Sequence, residues 1–368
     1  MFKISLYQSK FIFANFGVYN TTKQHNFLKD KDLHILQNKI TEARQILVTS
    51  HRNPDGDAIG SILSLYHFLK PLGKKINLAV PDDYPEFLKW LPGTDRVCIY
   101  ENQRQKVDAV IQESDLIFAL DYNDFSRTDQ MESVLKASEA FKVLIDHHPY
   151  PNANQFDLLF SEVNYSSTAE IMFSILTRLA FSAAIDKDCA TALYAGIMTD
   201  TGSFSYSVNR PELFETVASL VRIGVDAERV NRNIYDTYSE SRLRLLGFSL
   251  SERMRVIPEY ATAYIYLSQE DMKRFNYRDG DAEGLVNYGL SIKGINLSVL
   301  MKERDGVVRL SLRSKEGFSV NEFARENFDG GGHEKAAGAN SYASLQDTIR
   351  KFESLLPKYR KQLNSLSE

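Results

Sequence analysis

Three times before residue 150 the sequence drives a short apolar run straight into acids or imidazoles. Ile46-Leu47-Val48 leads into Ser50-His51-Arg52-Asn53-Pro54-Asp55-Gly56-Asp57. Asp115-Leu116-Ile117-Phe118-Ala119-Leu120 runs into Asp121, and Phe141-Lys142-Val143-Leu144-Ile145 into Asp146-His147-His148-Pro149. Runs so short and apolar suit strands of a parallel sheet covered on both faces. Helical spacing separates them, as where Ala58, Ile59, Ile62, Leu63, Tyr66 and Leu69 recur at three- and four-residue intervals. The alternation predicts an α/β fold: a mainly parallel sheet with flanking helices. In such a sheet, ligands bind outside the carboxyl ends of the strands. Pro54 presets φ and Gly56 admits almost any φ, which accounts for a turn but not for its acids. The other reading of this stretch is a solvated turn in which Asp57 caps the helix.

A fourth segment, Gly196-Ile197-Met198-Thr199-Asp200-Thr201-Gly202, ends a helical pattern that begins near Asp188. Each segment has an ordinary explanation by itself. Asp121 serves as a turn cap, His147 as a core histidine, Asp200 as a loop acid. Together those explanations fail, because three of the segments follow strand-like runs and converge on one sheet edge. The converged carboxylates Asp55, Asp57, Asp121, Asp146 and Asp200 would repel one another without cations. Oxygen and imidazole donors without thiolate suit Mn²⁺ or Mg²⁺. The donors suffice for two ions sharing one carboxylate, a recurrent device for phosphoester hydrolysis.

The motifs His51-x-x-x-Asp55-x-Asp57, Asp121, Asp146-His147-His148 and Gly196 to Gly202 resemble, in order and spacing, those of the DHH phosphoesterases. That family includes RecJ-like nucleases, family II pyrophosphatases and cyclic-dinucleotide phosphodiesterases. The resemblance implies that His51 and Asp55 hold one cation, that Asp57, His147 and Asp200 hold the other, and that Asp121 bridges them. It implies that Asp146 orients His147, and that His148 faces the substrate phosphate. The divalent cations would be Mn²⁺, with Mg²⁺ as the alternative.

Ala261 to Leu267 reads as a strand, and Asp281 to Asn287 as the opening of a short helix. Gly294–Glu303 and Val307–Arg313 read as a hairpin around Asp305-Gly306. In its second strand Val308, Leu310 and Leu312 alternate with Arg309, Ser311 and Arg313, so one face is buried and the other carries guanidiniums. Ser319 and Glu322 form a capping-box pattern, and that helix runs into a loop, Gly330-Gly331-Gly332-His333. Glycines expose backbone N–H groups and let a phosphate approach. Arg313-Ser314-Lys315 together with Gly330 to Gly338 resembles the DHHA1 substrate-binding domain. The resemblance implies that Arg313, Gly330, Gly331, Gly332 and His333 hold substrate, across a cleft from the reacting phosphate.

The two-domain layout is similar to the nanoRNase/pAp-phosphatase branch. It implies hydrolysis of very short single-stranded RNA or DNA to mononucleotides and dephosphorylation of 3′-phosphoadenosine 5′-phosphate. The alternative is a cyclic or linear dinucleotide phosphodiesterase, of c-di-AMP or pApA type. A non-enzymatic nucleotide-binding module is a third class, against which the intact donor set argues. The expected organisation is a loose extension over 1–25, a catalytic domain over 26–226, a helical connector over 227–257 and a substrate-binding domain over 258–368. Net charge is −4, which gives no bulk attraction to nucleic acid or membrane. No run reaches the ~18 apolar residues of a membrane span. Phe11-Ile12-Phe13-Ala14-Asn15-Phe16 is followed by no convincing signal-peptide cleavage site. Cys98 and Cys189 form no disulfide framework. A cytoplasmic enzyme, monomeric or a homodimer, is the expectation.

Overall fold

A computed structural model describes residues 28–181, 185–315 and 317–365. The N-terminal extension over 1–25 and its Phe11–Phe16 tract lie outside the described residues. The first sheet holds β1 (Gln45–Thr49), β2 (Lys75–Val80), β3 (Val97–Ile99), β4 (Leu116–Leu120), β5 (Phe141–Asp146) and β6 (Leu158–Ser161). All its strands are parallel, in the order β3-β2-β1-β4-β5-β6. Every residue of β1 and β4 is buried, as their unbroken apolar runs require. The chain leaves β1 towards β2 on one side and reaches β4 on the other. The crevice at that reversal lies at the carboxyl ends of β1 and β4, where doubly wound sheets take ligands.

Two close helix contacts fix the floor of this crevice. The Gly56–Leu69 and Lys187–Asp200 helices cross at Gly60 and Gly196. A Cβ on Gly60 would lie 2.6 Å from the Ala192 carbonyl oxygen and 3.0 Å from Gly196 Cα. A Cβ on Gly56 would lie 2.2 Å from Thr199 Oγ1. The glycine in Asp55-Gly56-Asp57 is therefore required by close packing. The expected φ freedom is not used, since Gly56 is the first helical residue. Gly60→Ala is expected to destabilise the protein by about 1–3 kcal/mol, because backbone rather than a flexible side chain must yield. Chemical denaturation measures this; an unchanged midpoint would mean that the helices separate without cost.

The second sheet holds β7 (Met254–Ile257), β8 (Thr262–Leu267), β9 (Leu297–Arg304), β10 (Val307–Ser314), β11 (Asp329–Gly332) and β12 (Ala336–Ser341). Its order is β11-β12-β10-β9-β8-β7, antiparallel except between β8 and β9. The β9–β10 hairpin turns at Asp305-Gly306, both with positive φ. The Val320–Asn327 and Leu345–Asn364 helices cover one face of the sheet through Phe323, Phe352 and Leu356. Between the sheets, the stretch expected as connector forms the Ala227–Tyr235 and Glu240–Phe248 helices, and its end is β7. Residues 281–286 are turns, which lead into the short helix Asn287–Leu290. Ser319 accepts from the Glu322 N–H as expected of a cap.

The Gly330-Gly331-Gly332 triplet is not the loop that composition suggests but the edge strand β11, paired with β12. A Cβ on Gly330 would lie 2.3 Å from the Gly338 oxygen and 2.4 Å from Ala339 Cβ. Gly332 has φ 151° and donates its N–H to Asn321 Oδ1 at 3.1 Å. The glycines admit a tight strand pairing, and one of their amides is already committed. No helix among the described residues is long and apolar enough to cross a membrane.

Candidate metal centre

Each strand of the crevice delivers its side chains at the point where the ladder ends. Asp55 caps the Gly56–Leu69 helix, its Oδ1 accepting from Asp57 N–H at 3.0 Å and Ala58 N–H at 3.1 Å. The expected capping by Asp57 is thus taken by Asp55. Asp57 instead serves a different helix. Its Oδ2 accepts from Thr168 N–H at 2.6 Å and its Oδ1 from Ala169 N–H at 2.8 Å, at the start of Thr168–Leu176. The positive end of that helix favours a carboxylate there. Asp121 follows β4 with φ 65°, a left-handed backbone that ordinary residues avoid and that concentrates at functional sites. Thr168 Oγ1 donates to Asp121 Oδ1 at 2.9 Å.

The two oxygens of Asp121 face different imidazoles. Oδ2 lies 3.4 Å from His51 Nε2, and Oδ1 lies 3.6 Å from His147 Nε2. His147 Nε2 is also 3.6 Å from Asp200 Oδ2 and 3.9 Å from Asp57 Oδ2. Two oxygen or nitrogen ligands of one ion, each about 2.1 Å from it, stand about 3.0–3.5 Å apart. The donor atoms of His51, Asp55 and Asp121 lie within 4.8 Å of one another, as do those of Asp57, His147 and Asp200.

Asp146 is the last residue of β5, and its Oδ1 lies 2.7 Å from His148 Nδ1. His147 Nδ1 faces the Tyr165 carbonyl oxygen at 3.4 Å. The expectation that Asp146 orients His147 is corrected: along extended chain, residues two apart share a face and neighbours do not. His333, directly after β11 in the second sheet, meets the centre directly. Its ring stacks on His148, with centroids 4.4 Å apart and planes at 24°, and lies 5.0 Å from His147. The span across the cleft is therefore short enough for the second domain's His333 to touch the imidazoles of the centre. Arg313 lies within electrostatic reach of Asp200.

Thr168 and Ala169 were not singled out from sequence. The legible signal was Ser167-x-x-Glu170, a capping-box pattern marking a helix start; Ser167 does accept from Glu170 N–H. Arg127 was missed too. It feels the charges of Asp121, Asp146 and Asp55, and no spacing rule announces it.

The donor set fits divalent cations on two observations. The first is unpaired buried polarity. Thr49 Oγ1, Tyr122 Oη, Asp146 Oδ2 and Ser166 Oγ are buried without a hydrogen-bond partner among the described residues. All four lie within two residues of His51, Asp121, His147 or Thr168 in the chain. A buried unsatisfied group calls for a water or an ion, and Asp146 Oδ2, beside His147, is the one such atom on a residue of the centre itself. The second is charge. Burial, then repulsion from Asp200, pushes the Asp57 carboxyl up to about 7. Burial, then Asp57 and Asp55, hold Asp121 well above the carboxylate range. Burial raises Asp200 as well. Burial opposes charge on His147, but Asp200, Asp57 and Asp146 outweigh it and raise its pKa. Burial lowers His51 and, with His148 and His147, lowers His333.

These shifts set the pH response of the metal-free protein. Between about pH 4 and 7 an unfolded aspartate is ionised. Folded Asp57, pushed up to about 7, still holds a proton over most of that range, and Asp121 and Asp200 are raised in the same direction, so the unfolded state binds fewer protons and stability falls as pH rises. His51 and His333 oppose this only below about 6.5, where the unfolded imidazole is charged. Above that, His147 adds to the decline. In chelator, the thermal midpoint should therefore fall as pH rises from about 6.5, where the opposing histidines have finished titrating, through about 7, where Asp57 loses its proton. Saturating Mn²⁺ should flatten the profile. A midpoint that rises across this window in chelator would contradict the buried-carboxylate account.

A model of the DHH family, N-terminal domain, matches residues 45–197, and a model of the DHHA1 domain matches residues 259–362. The bifunctional oligoribonuclease and PAP phosphatase NrnA of Thermus thermophilus is 30% identical over 319 residues, which cover 86% of this chain and 90% of the relative. The probable bifunctional oligoribonuclease and PAP phosphatase NrnA of Streptococcus mutans is 28% identical over 324 residues, covering 86% of this chain and 97% of that protein. The crystal structure of an exopolyphosphatase-related protein from Bacteroides fragilis matches with a TM-score of 0.87 at 39% identity, covering 91% of this chain and 98% of that one.

Proposed function

We propose, for a chain that belongs to the DHH family and carries its DHHA1 domain, hydrolysis of very short oligoribonucleotides to mononucleotides and dephosphorylation of 3′-phosphoadenosine 5′-phosphate. The observation that carries the reading is Asp121, whose two oxygens face the imidazoles of two separate donor groups. The names of the similar proteins support the substrate class.

His51, Asp55 and Asp121 would hold one divalent cation; Asp57, His147, Asp200 and Asp121 would hold the second. When bound, such a pair polarises phosphoryl oxygens and makes water a nucleophile near neutral pH. Mn²⁺ suits the mixed imidazole and carboxylate donors better than Mg²⁺, which prefers oxygen. The chain's own groups do the positioning. Asp146 accepts from His148 Nδ1–H, which fixes the tautomer and leaves His148 Nε2 to meet the phosphoryl group. Burial works to raise the Asp146 carboxyl, but His148 and His147 outweigh it and hold it below the usual range, so it stays an acceptor. His333 and Arg313 supply further contacts to the phosphate or its leaving nucleotide. The Thr168 hydroxyl holds Asp121 in register. A cytoplasmic location completes the reading.

Substrate length tests it. The second sheet brings His333 against His148, so there is little room between the reacting phosphate and the far wall. From Glu259 to Lys335, eleven lysines and arginines face thirteen aspartates and glutamates, which gives no overall basic excess to track a long strand. Efficiency, kcat/KM, should fall steeply as RNA grows from about two to five nucleotides towards ten or more, with a shallow salt dependence because few phosphates are neutralised. The assay takes graded RNAs, 3′-phosphoadenosine 5′-phosphate and cyclic di-AMP at two salt concentrations. Equal efficiency on a twenty-nucleotide strand, with a steep salt slope, would replace this reading with a processive nuclease.

A further inference from the structure

Beside the metal centre, between the two connector helices and the 281–291 stretch, lies a cavity of about 300 Å³. Its walls include Tyr235, Tyr238, Arg242, Glu283, Asn287 and Tyr288. Nothing in the chemistry above uses it. The Arg242 guanidinium lies 3.7 Å from the centroid of the Tyr238 ring and donates from Nη2 to the Glu283 carbonyl oxygen at 3.4 Å. That contact ties the Glu240–Phe248 helix to the second sheet's turns and holds the Tyr238 ring in place. Tyr238 and Tyr288 belong to none of the hydrophobic cores among the described residues, and Tyr288 is 44% exposed. Aromatic rings left outside a core and lining a cavity are available to a ligand.

Two of its lining residues connect the cavity to the metal centre. Glu283 lies within electrostatic reach of Asp55 and of Arg313. The Tyr235 hydroxyl faces the Ser203 backbone amide, three residues beyond Asp200. There Gly202, Ser203 and Phe204 all hold left-handed backbone, with φ of 54°, 55° and 61°. Such consecutive strain is kept where the surroundings impose it, typically around a ligand.

We propose that this cavity is a nucleobase subsite: the base of the nucleotide whose phosphate sits at the metal centre stacks on the Tyr238–Arg242 pair. Tyr288 and Tyr235 wall the site, and Asn287 and the Glu283 carboxylate offer polar groups to the base edge. The size suits one nucleoside and not a second strand. Stacking on an aromatic face is tolerant of base identity, since every base has a π-face, so the subsite discriminates base from no base. The inference rests on the hydrolase reading for the phosphate's position.

The test titrates AMP and ribose 5-phosphate into the full-length Mn²⁺-loaded protein by calorimetry. Wild type, Tyr238→Ala and Tyr238→Phe are compared. Wild type should bind AMP about fivefold or more tighter than ribose 5-phosphate, the lower end of what stacking on one base supplies. Tyr238→Ala should erase the difference, and Tyr238→Phe should keep it, since the ring and not the hydroxyl does the stacking. Retention of the full AMP preference in Tyr238→Ala, or no preference in wild type, overturns the subsite. Dinucleotide turnover by wild type is measured alongside. Turnover without base preference removes the subsite and leaves the hydrolase. Base preference without turnover removes the hydrolase and leaves a nucleotide-binding cavity.

Discussion

Asp121→Asn is expected to abolish turnover, by about 10³-fold or more, and to leave the fold intact. Losing one preorganised electrostatic group commonly costs 10²–10³ in kcat. Asp121 stands in two donor groups at once, so its loss weakens both. Asparagine keeps the size, can still accept from Thr168 Oγ1 through its carbonyl oxygen, and tolerates the φ of 65° better than most residues. The substitution also removes a charge from a cluster that repels itself. In chelator the variant should therefore unfold no earlier than wild type at pH 7.5, and later if the carboxylate repulsion is as strong as its environment indicates. Activity assays across Mn²⁺ concentrations and thermal unfolding read the two arms. Near-wild-type turnover at saturating Mn²⁺ would sink the shared-carboxylate assignment.

His333→Ala should be the second severe variant, and by a different route than the sequence implied. Placed across a cleft, His333 would act through substrate affinity, and its loss would chiefly raise KM for oligonucleotides. The structure stacks its ring on His148 and sets it 5.0 Å from His147. Removing it strips the stacked face of His148 and leaves the ring to Asp146 and the edge contact with His147. Small misplacements of a reacting group cost about 10²-fold, so kcat should fall about 10²-fold on a dinucleotide. It should fall comparably on bis-p-nitrophenyl phosphate, which lacks a second nucleotide. A pure KM effect, with the small diester untouched, would restore the remote-clamp role. Arg313→Ala separates the possibilities further: a guanidinium that steadies Asp200 affects both substrates, while one that only grips a distal phosphate spares the small diester.

The strand-end placement of His51, Asp121 and Asp146 was legible in the sequence for a local reason. Apolar runs of strand length, broken by helical spacing, dictate parallel strands, and a strand's last residue emerges at a fixed edge of the sheet. Once three such runs each end in an acid or imidazole, their meeting in space follows from topology. The β9–β10 hairpin and its alternation at Val308, Leu310 and Leu312 were readable on the same grounds, since turn pairs and period two are local properties.

The tertiary structure decided what depends on distance through space. Gly56, Gly60 and Gly196 look alike in sequence to any flexible glycine; only the packing of the helices shows that a single Cβ would strike Thr199, backbone or Ala169 respectively. The triplet at Gly330 reads as a loop because glycine carries no side chain to announce a strand; the close pairing with β12, which begins only four residues after Gly332, is what makes it one. Asp57 is a helix cap in isolation, and its oxygens are claimed by Thr168 and Ala169, more than a hundred residues away. The placement of His333 against His148 follows from how two sheets pack, which no periodicity within either one encodes. The Asp146–His148 pairing lies between these cases. Its alternation was written in three consecutive residues, but which face of β5 looks into the centre was set by the fold.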